Sequence, residues 1–573
     1  MPGFLLSVNA KQTAFEKAEA ELKFDERFEC QRIIQTQCLK LSVNTYSEYP
    51  LQVFSFDESL VYFEGKIYNK TIKQVEEFCE TLFCDEGFNQ HIIEPWLRTA
   101  DGEFVIVLIN KNANKVLIFN DIFGRLPVYY HRQKDSIVLS REITFVKSMA
   151  NEPVFNRFGV ASTLIFGYVP GYKTIWEGIL RLPYSSIILI DLEFFSVQFV
   201  EGERISIQNN DYQFNASVDR LYELLEEATI NRVACLTNPA LSLSGGLDSR
   251  LIAGILKNNK LEIPILTYDD IEGSAKADVH AVSKIINNLE MSQLHSIFAL
   301  EKESFASKDL LLNIKKGLNY LGMSFLIPFL NQFKNNHLQQ ITGDGGDKIM
   351  ANLMPFIPLR NEYEFFNYLI SKNALVPIEK VLALTSLTKR EFISEIDHVV
   401  NAYRAIDYEE KYALFQMQER AMVWLFEGED RNRYFSWSTT PFYHPEFALA
   451  ALSMPMCEKS RGKLFLKFFR KLGSQLETIQ NPNWKLAPNQ QNRLRILFLK
   501  QYFKHRLPKY LRPLKYKMAS ESASSIIQDK RDFDTAFPDW FKSELIDNEL
   551  LGNEEFNWHL QTLVELSAKT PKL

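Results

Sequence analysis

The chain has few cysteines, little net charge and no long apolar run. Only Cys79 and Cys84 among its six cysteines lie close together, and their spacing does not match a zinc site, so we expect buried free thiols. The net charge of −6 is small for 573 residues, which argues against nucleic acid or a membrane surface as a partner. No apolar run of about 18 residues and no secretory leader occur, so we expect a cytoplasmic protein.

The composition is that of a globular protein of several domains. Hydrophobic residues make up 46% and charged residues 24% of the chain. At roughly 100–200 residues per domain, the length indicates two or three domains. A polar stretch near 201–217 marks one boundary, and we predict regions 1–205, 206–475 and 476–573. The first is rich in short strands, with a predicted hairpin at 104–109 and 115–119.

The middle region carries a glycine loop between a strand and a helix. A helix is predicted over 218–230, a buried strand over 240–243, and a helix from about 251. The residues between strand and second helix are Ser244, Gly245, Gly246, Leu247, Asp248 and Ser249. A second strand at 263–268 and a helix near 275–288 follow, which predicts a doubly wound parallel sheet.

This loop has the chemistry of a pyrophosphate cradle. Its glycines allow backbone N–H groups to approach phosphate oxygens, its two serines add hydroxyl donors, and the following helix begins with partial positive charge. Asp248 is tolerable beside phosphates only with a cation between them, so Mg²⁺ is implied. The alternative is an ordinary capped Gly-Gly turn. The Gly-x-x-x-x-Gly-Lys-Ser/Thr loop is absent, which disfavours kinase or GTPase chemistry.

At this loop the chain resembles the asparagine synthetase family, which cleaves ATP between its α and β phosphates. A second loop, at 343–347, is similar to the family's acidic glycine loop. The resemblance implies that Asp347 is the second Mg²⁺ carboxylate, facing Asp248, and that Asp344 lies near the reacting centre. It also implies an adenine nucleotide α-hydrolase-like sheet with helical additions. The other nucleotide-binding residues that we predict are Ser242, Tyr268, Gly343, Gly345 and Gly346. A simple acidic turn is the alternative for the second loop.

Two later segments extend the resemblance. The segment that begins at Asp430 and Arg431 and reaches Pro441 is similar to the family's acceptor pocket, with shorter spacing. Lys463 resembles the family's catalytic lysine and is our candidate for stabilising charge on the adenylate and on the later tetrahedral intermediate. Lys467 stands where the family often has Arg. Either lysine could instead belong to a solvated helix face.

The first region resembles the family's glutamine amidotransferase half, an αββα β-sandwich, but lacks its catalytic thiol. Glutaminase chemistry uses a cysteine whose own α-amine is the base, whereas Pro2 stands at position 2 and Cys30 is the first cysteine. Glu64 and Lys66 replace the family's glutamine-binding Asn and Glu, although Asp101 remains. We therefore expect a structural or partner-binding domain that does not hydrolyse glutamine.

The resemblance implies an ATP- and Mg²⁺-dependent ligase that joins a carboxylate to an amine. Family members without the cysteine include β-lactam synthetases and lasso peptide macrolactam cyclases, which favours isopeptide or lactam formation in a peptide or specialised metabolite. An ammonia-dependent asparagine synthetase and a non-catalytic relic are the alternatives. The expected partner is a small-molecule or peptide carboxylate, with a precursor peptide or partner protein possible. The basic stretch 493–517 is either a solvated amphipathic helix or a docking face for an acidic peptide.

Overall fold

Two antiparallel sheets form the N-terminal part of the computed structural model. The structure describes residues 1–22, 25–56, 59–84, 87–151, 153–202, 205–207, 217–270, 275–300, 305–506 and 537–568. The strands are β1 Gly3–Val8, β2 Glu29–Gln35, β3 Leu39–Thr45, β4 Leu51–Phe56, β5 Ser59–Ile67, β6 Phe83–Cys84, β7 Gly87–Phe88, β8 Gly102–Asn110, β9 Lys115–Asn120, β10 Tyr129–Arg132, β11 Ile137–Ser140, β12 Leu180–Arg181, β13 Ser186–Asp191 and β14 Ser196–Glu201. One sheet has the order β12-β10-β11-β1-β3-β2 and the other β14-β13-β9-β8-β5-β4.

The predicted hairpin is strands β8 and β9, which pair from Val105↔Asn120 to Asn110↔Lys115. Strand β8 is buried along its whole length because both of its edges are paired and both of its faces are covered. The two sheets face each other across a shared core, in which the Phe4 and Tyr62 rings meet edge to face. The sequence of such a strand is a continuous apolar run because neither face of the strand reaches water.

Helices cover the outer faces of both sheets. They are α1 Gln12–Ala20, α2 Ile72–Thr81, α3 Ile93–Leu97, α4 Ile143–Met149 and α5 Arg157–Phe166. Helices α1, α4 and α5 pack with Leu5 and Val138 of the first sheet, and helices α2 and α3 pack with the second. This arrangement confirms the predicted αββα architecture.

A parallel sheet forms the framework of the second half. Its strands are β15 Pro239–Ser242, β16 Ile265–Asp270, β17 His295–Leu300, β18 Gln339–Ile341 and β19 Ser438–Thr439. Their order is β17-β16-β15-β18-β19, with every pairing parallel. Helix α6 Val218–Cys235 precedes the sheet, and the helices between its first four strands are α7 Leu247–Asn258, α8 Lys276–Leu289, α9 Phe305–Lys315 and α10 Ile327–Asn335. The predicted fold class is therefore confirmed.

The rest of the described chain is helical, apart from short turns. Its helices are α11 Gly346–Ile349, α12 Glu362–Asn373, α13 Ile378–Leu384, α14 Lys389–Asn401, α15 Tyr408–Met417, a π-helix Gln418–Leu425, α16 Phe426–Phe435, α17 Pro445–Ser453, α18 Met456–Lys459, α19 Lys463–Leu472, α20 Gln491–Arg506, α21 Asn548–Leu551 and α22 Glu554–Ala568. The segment 537–568 packs against α5, so the C-terminal region contacts the N-terminal one. The boundaries at 205 and 475 stay predictions.

The six cysteines all lie in the described part of the chain, and none forms a disulfide. Only Cys79 is buried, so the prediction of buried thiols is wrong for the others. Four of them are exposed because they stand at strand edges and helix ends, where polar neighbours surround them. Within the described ranges, no helix is long and apolar enough to cross a membrane.

Candidate active site

Two loops meet at the carboxyl edge of the parallel sheet. The chain leaves β15 through residues 243–246 and leaves β18 through residues 342–345. Strands β15 and β18 are neighbours, and the strand order runs outward from this pair in both directions. Ligands of open α/β sheets bind at such a switch point, where adjacent loops diverge and leave a crevice.

The first loop is held together by its two serines. The Ser249 hydroxyl accepts a hydrogen bond from the Ser244 backbone N–H at 3.1 Å and lies 3.1 Å from the Ser244 hydroxyl. The Gly245 N–H donates to Asp278 Oδ1 at 2.9 Å, and Arg250 Nη2 donates to the Gly245 carbonyl at 2.8 Å. This N–H group is thus engaged by a carboxylate, whereas Ser244 and Ser249 line the cavity.

The second loop needs glycine because other groups press against it. A Cβ atom on Gly346 would lie 2.4 Å from Asp248 Oδ1, and one on Gly345, which has φ +92°, would lie 2.4 Å from the Tyr443 ring. A Cβ atom on Gly343 would lie 2.5 Å from the backbone N of Ser249. The absence of side chains here is what allows the two loops to touch.

Two carboxylates belong to these loops and interact with each other. Asp248 is partly buried at the start of α7, and its buried Oδ1 has no hydrogen-bond partner among the described residues. Burial, and then the charge of Asp347, hold the pKa of Asp248 well above its ordinary value. Asp347 is more exposed and pairs with Lys348. A buried, unpartnered carboxylate oxygen beside a second carboxylate is the donor set that a divalent cation satisfies, so these residues fit Mg²⁺.

The remaining ligands of such a cation would come from outside the protein. In the part of the chain that the structure describes, no cluster of three or more His, Cys, Asp or Glu is placed to bind a metal. Mg²⁺ commonly takes one or two carboxylates and completes its shell with phosphate oxygens and water. Asp248 and Asp347 would therefore hold a phosphate-bound Mg²⁺, which would offset the negative charge of the phosphates.

A cavity of about 280 Å³ opens in front of the two loops. Predicted site residues line it, namely Ser242, Ser244, Asp248, Ser249, Tyr268, Gly343 and Asp344. An apolar wall comes from residues of α10, the preceding turn and the π-helix, namely Met323, Leu326, Phe329, Leu330, Trp424 and Leu425. Polar groups complete the lining: Asn319, Tyr320, Gln340, Thr342, Gly428, Glu429, Arg431 and Asn432. One half of the cavity is thus formed by the first and second loops, and its second half is lined by apolar and charged side chains.

Burial and neighbouring charges shift the pKa values of two ionisable groups in the second half. Burial, and then the Glu429 charge, raise the pKa of Asp344 to about 6. Arg431 is 3% exposed, and desolvation lowers its pKa to about 10. Its two terminal nitrogens donate to Asn319 Oδ1 at 3.4 Å and to Asn432 Oδ1 at 2.9 Å, while Nε has no partner among the described residues. Arg431 therefore presents a positive group to the cavity.

Several predicted residues lie behind this lining. Gly245, Gly246, Leu247, Gly345, Gly346 and Asp347 shape the loops without lining the cavity. Lys463 is the first residue of α19. It lies close to the first loop, since the neighbouring Gly462 faces the Leu247 side chain. The Lys463 ammonium donates a hydrogen bond to the Cys457 carbonyl at 2.8 Å. Lys467 pairs with Glu458 at 2.6 Å. The catalytic role of Lys463 stays a prediction.

The residues that sequence reasoning missed belong to elements without a motif. Asn319, Tyr320 and Trp424 stand in a turn and a π-helix, and nothing in their spacing indicates a site. Glu429 belongs to a charged run in α16 that resembles a solvated helix face but is buried throughout. A charged helix flanked by apolar residues on both sides, as at 421–437, is the signal that could have indicated it.

Glu64 stands where the resemblance places a glutamine-binding Asn, and the chain's own side chains engage it. Glu64 accepts hydrogen bonds from Arg141 Nε at 3.0 Å, Tyr49 Oη at 2.6 Å and Tyr62 Oη at 2.8 Å. A Cβ on Gly3 of β1 would lie 2.5 Å from Arg141 Cβ. No acceptor capacity or space is left at Glu64 for a ligand's polar head.

Buried ion pairs join the N-terminal half to α6 and α16. Asp101 binds both terminal nitrogens of Arg232, at 2.7 and 2.8 Å. Arg125 binds Glu429 Oε2 at 2.9 Å, and Arg141 contacts Asp430. Because α16 carries Arg431 and Glu429, the N-terminal half contacts the helix that lines the cavity.

The basic helix α20 lies outside the cavity. Its Ile496, Leu499 and Phe503 side chains are exposed, as are Arg493 and Arg495. Residues 507–517 of the predicted docking face lie outside the described residues. The docking hypothesis stays a prediction.

Comparisons with known proteins give a matching family model and curated relatives. A family model described as a glutamine amidotransferase domain matches residues 41–198, from β3 to β14. A probable glutamine-hydrolyzing asparagine synthetase of Acanthamoeba polyphaga mimivirus is 22% identical over 349 residues, covering 57% of this chain and 60% of that protein. The glutamine-hydrolyzing asparagine synthetase of Gallus gallus is 20% identical over 338 residues, covering 54% and 57%.

The chain spans less than two thirds of the length of these curated relatives. Among solved structures, a glutamine phosphoribosylpyrophosphate amidotransferase from B. subtilis, complexed with ADP and GMP, is similar at 11% identity with a TM-score of 0.25. The match covers 55% of this chain and 92% of that one.

Proposed function

Since the chain belongs to the asparagine synthetase family, we propose that it is an ATP-dependent amide synthetase that activates a carboxylate as an acyl-adenylate. The observation that carries this proposal is the Asp248 carboxylate, buried and unpartnered at Oδ1 among the described residues, beside Asp347 at the switch point of the parallel sheet. A site that only capped a turn would leave this desolvation uncompensated. Phosphates with their Mg²⁺ would compensate it.

The proposed reaction has two steps. A substrate carboxylate oxygen attacks the α-phosphorus of ATP, the α–β phosphoanhydride bond breaks, and pyrophosphate leaves along the Ser244–Ser249 loop. An amine then attacks the acyl carbon, the C–N bond forms, and the C–O bond to AMP breaks. Asp344, with its pKa near neutrality, accepts the amine proton, and Lys463 stabilises the oxyanion after a rotation of its side chain.

The nitrogen source is an amine other than glutamine. The Glu64 carboxylate is fully engaged by Arg141, Tyr49 and Tyr62, which supports an N-terminal half without glutaminase chemistry. The cavity has an apolar wall that includes Trp424 and Met323, and aspartate offers no apolar group to pack against it. We therefore favour isopeptide or lactam formation in a peptide or specialised metabolite, as in lasso peptide cyclases, with a cytoplasmic precursor peptide or partner protein. An ammonia-dependent asparagine synthetase is the competing assignment.

Exchange of labelled pyrophosphate into ATP tests the activation step without the amine. The wild-type chain, offered a panel of amino acids, peptides and small organic acids, should incorporate label with at least one of them. Asp248→Asn should lower the exchange rate by about 100-fold or more, because it removes one electrostatic contribution to the transition state. Asp135→Asn, at an exposed position of the N-terminal half, is the matched control and should exchange like the wild type.

Lys463→Met provides a second arm of this assay. If the lysine stabilises the adenylate, its exchange rate should fall by about 100-fold as well. An unchanged rate would leave Lys463 with its contact to the Cys457 carbonyl alone. No exchange by the wild type with any carboxylate, or full exchange by Asp248→Asn, would overturn the proposed function.

A further inference from the structure

Glu429 differs from the other cavity residues because only one of its two carboxylate oxygens has hydrogen-bond partners among the described residues. Oε2 accepts hydrogen bonds from Arg125 Nη2 at 2.9 Å and from Arg433 Nη2 at 3.1 Å. Oε1 has no hydrogen-bond partner among the described residues, although the residue is 1% exposed and lines the cavity. Leaving a buried charged acceptor unsatisfied is costly, so a donor from the cavity is the expected partner of Oε1.

The surroundings of Oε1 indicate a positive ligand. Asp344 lines the same cavity and interacts unfavourably with Glu429, which contributes to its raised pKa. Arg431 forms no ion pair with either carboxylate in the described part of the chain; its terminal nitrogens donate to Asn319 and Asn432. The charges of Asp344 and Glu429 thus repel each other beside the cavity, while the charge of Arg431 favours the ionised form of Asp344. A ligand ammonium group would relieve both the missing hydrogen bond and the repulsion.

We propose that Glu429 Oε1 and the Asp344 carboxylate form the subsite for the amine substrate, which enters the cavity as a primary ammonium ion. This inference rests on the proposed function and adds the chemical class of the second substrate. Arg431, which carries the opposite charge, lines the same cavity. Arg125 is a positioning residue, because its bond to Oε2 turns Oε1 toward the cavity.

The transfer step balances with these groups. The ammonium donates a hydrogen bond to Glu429 Oε1 and gives one proton to Asp344, which becomes a neutral acid. The free amine forms the C–N bond at the acyl carbon, and the C–O bond to AMP breaks. The second proton, released as the tetrahedral adduct collapses, leaves with the AMP phosphate. Glu429 keeps its ion pairs with two guanidinium groups, those of Arg125 and Arg433.

Two nucleophiles of different charge separate this role from a contact to ATP. Methylamine is a cation at neutral pH, whereas hydroxylamine is largely uncharged and traps an acyl-adenylate as a hydroxamate. Glu429→Gln should lower kcat/KM for methylamine by about 10- to 100-fold, the loss expected for one charge-assisted hydrogen bond. Pyrophosphate exchange and hydroxamate formation should stay within about threefold of wild type, since neither needs the cation. Glu80→Gln, exposed on α2, is the control.

Parallel losses in exchange and with both nucleophiles would overturn the subsite and make Glu429 a nucleotide contact or a folding residue. Asp344→Asn, which leaves the Arg125 pair intact, should also weaken methylamine use and guards against misfolding of Glu429→Gln. Calorimetric titration of the full chain with butylammonium chloride gives a readout that needs no turnover. Saturable binding that Glu429→Gln weakens about tenfold or more supports the subsite even if exchange fails. No saturable binding by the wild type refutes it.

Discussion

Replacing Asp101 with Asn tests whether this residue is a structural clamp or a remnant of glutamine binding. Both of its oxygens are engaged by Arg232 of α6, at 2.7 and 2.8 Å, and both side chains are fully buried. The substitution keeps size and shape but leaves a buried guanidinium without its counter-charge. Arg232 retains the Thr439 hydroxyl and the Tyr68 ring, 4.3 Å away. Neither neutralises its charge.

The expected loss is about 3–5 kcal/mol, the usual cost of breaking a buried pair by removing one partner. The same size follows from Coulomb's law, since two charges about 4 Å apart interact by roughly 4 kcal/mol at an effective dielectric constant of about 20. Because the m-value of a 573-residue chain exceeds the roughly 1–3 kcal/mol/M of small proteins, the urea midpoint should fall by less than about 1.7 M. Tryptophan fluorescence measures the transition, and Trp437, buried at the same interface, contributes to it.

Glu77→Gln is the matched control, because it removes an exposed carboxylate that lies 3.6 Å from Lys73. Its free energy of unfolding should change by less than about 0.5 kcal/mol. The double variant Asp101→Asn with Arg232→Met should be less damaging than the sum of the single variants, with a coupling of about 2–3 kcal/mol. A loss for Asp101→Asn no larger than the control, with no coupling, would refute the clamp.

Two further predictions concern the C-terminal helix and the N-terminal half. Burial lowers the pKa of His559 on α22 to about 3. The unfolded chain, with a histidine pKa near 6.5, then binds the proton more readily, so stability is lost as pH falls below that value, by about 1.4 kcal/mol at pH 5.5 relative to pH 8. In urea titrations at pH 5.5 and pH 8, His559→Gln should remove this part of the difference in the free energy of unfolding. The same difference in the variant as in the wild type would contradict the prediction. The purified chain should also release no glutamate from glutamine in a coupled dehydrogenase assay, because Glu64 is engaged by Arg141; steady release would show that the N-terminal half is active.

The elements nearest the chemistry were predictable because they are local. The strand before Ser244, the glycine loop and the helix after it follow from a few adjacent residues whose spacing matches their backbone needs. The hairpin of β8 and β9 follows in the same way. Asp248 could be assigned to a cation because a carboxylate among phosphate donors repels the phosphates unless a cation lies between them. In the structure this carboxylate lies between the two loops, with its buried Oδ1 unpartnered among the described residues.

The second half of the cavity could not be predicted because its parts meet only in three dimensions. Tyr320 and Trp424 come from elements about a hundred residues apart that share no pattern. The charged run around Glu429 looks solvated unless its partners are known, and these are Arg125 and Arg433, the first of them from the other half of the chain. Long-range pairing of this kind leaves no trace in local spacing.

The buried charges of α16 make the fold of the cavity depend on the N-terminal half, whatever the chemistry of that half. If it were deleted, Glu429 and Asp430 would lose Arg125 and Arg141, and one face of the helix would carry carboxylates without these partners. Arg125 and Arg141 do not line the cavity, yet substitutions at either should disturb the helix that does. Changes in the N-terminal sheets can thus alter a site in the other half of the chain without touching it.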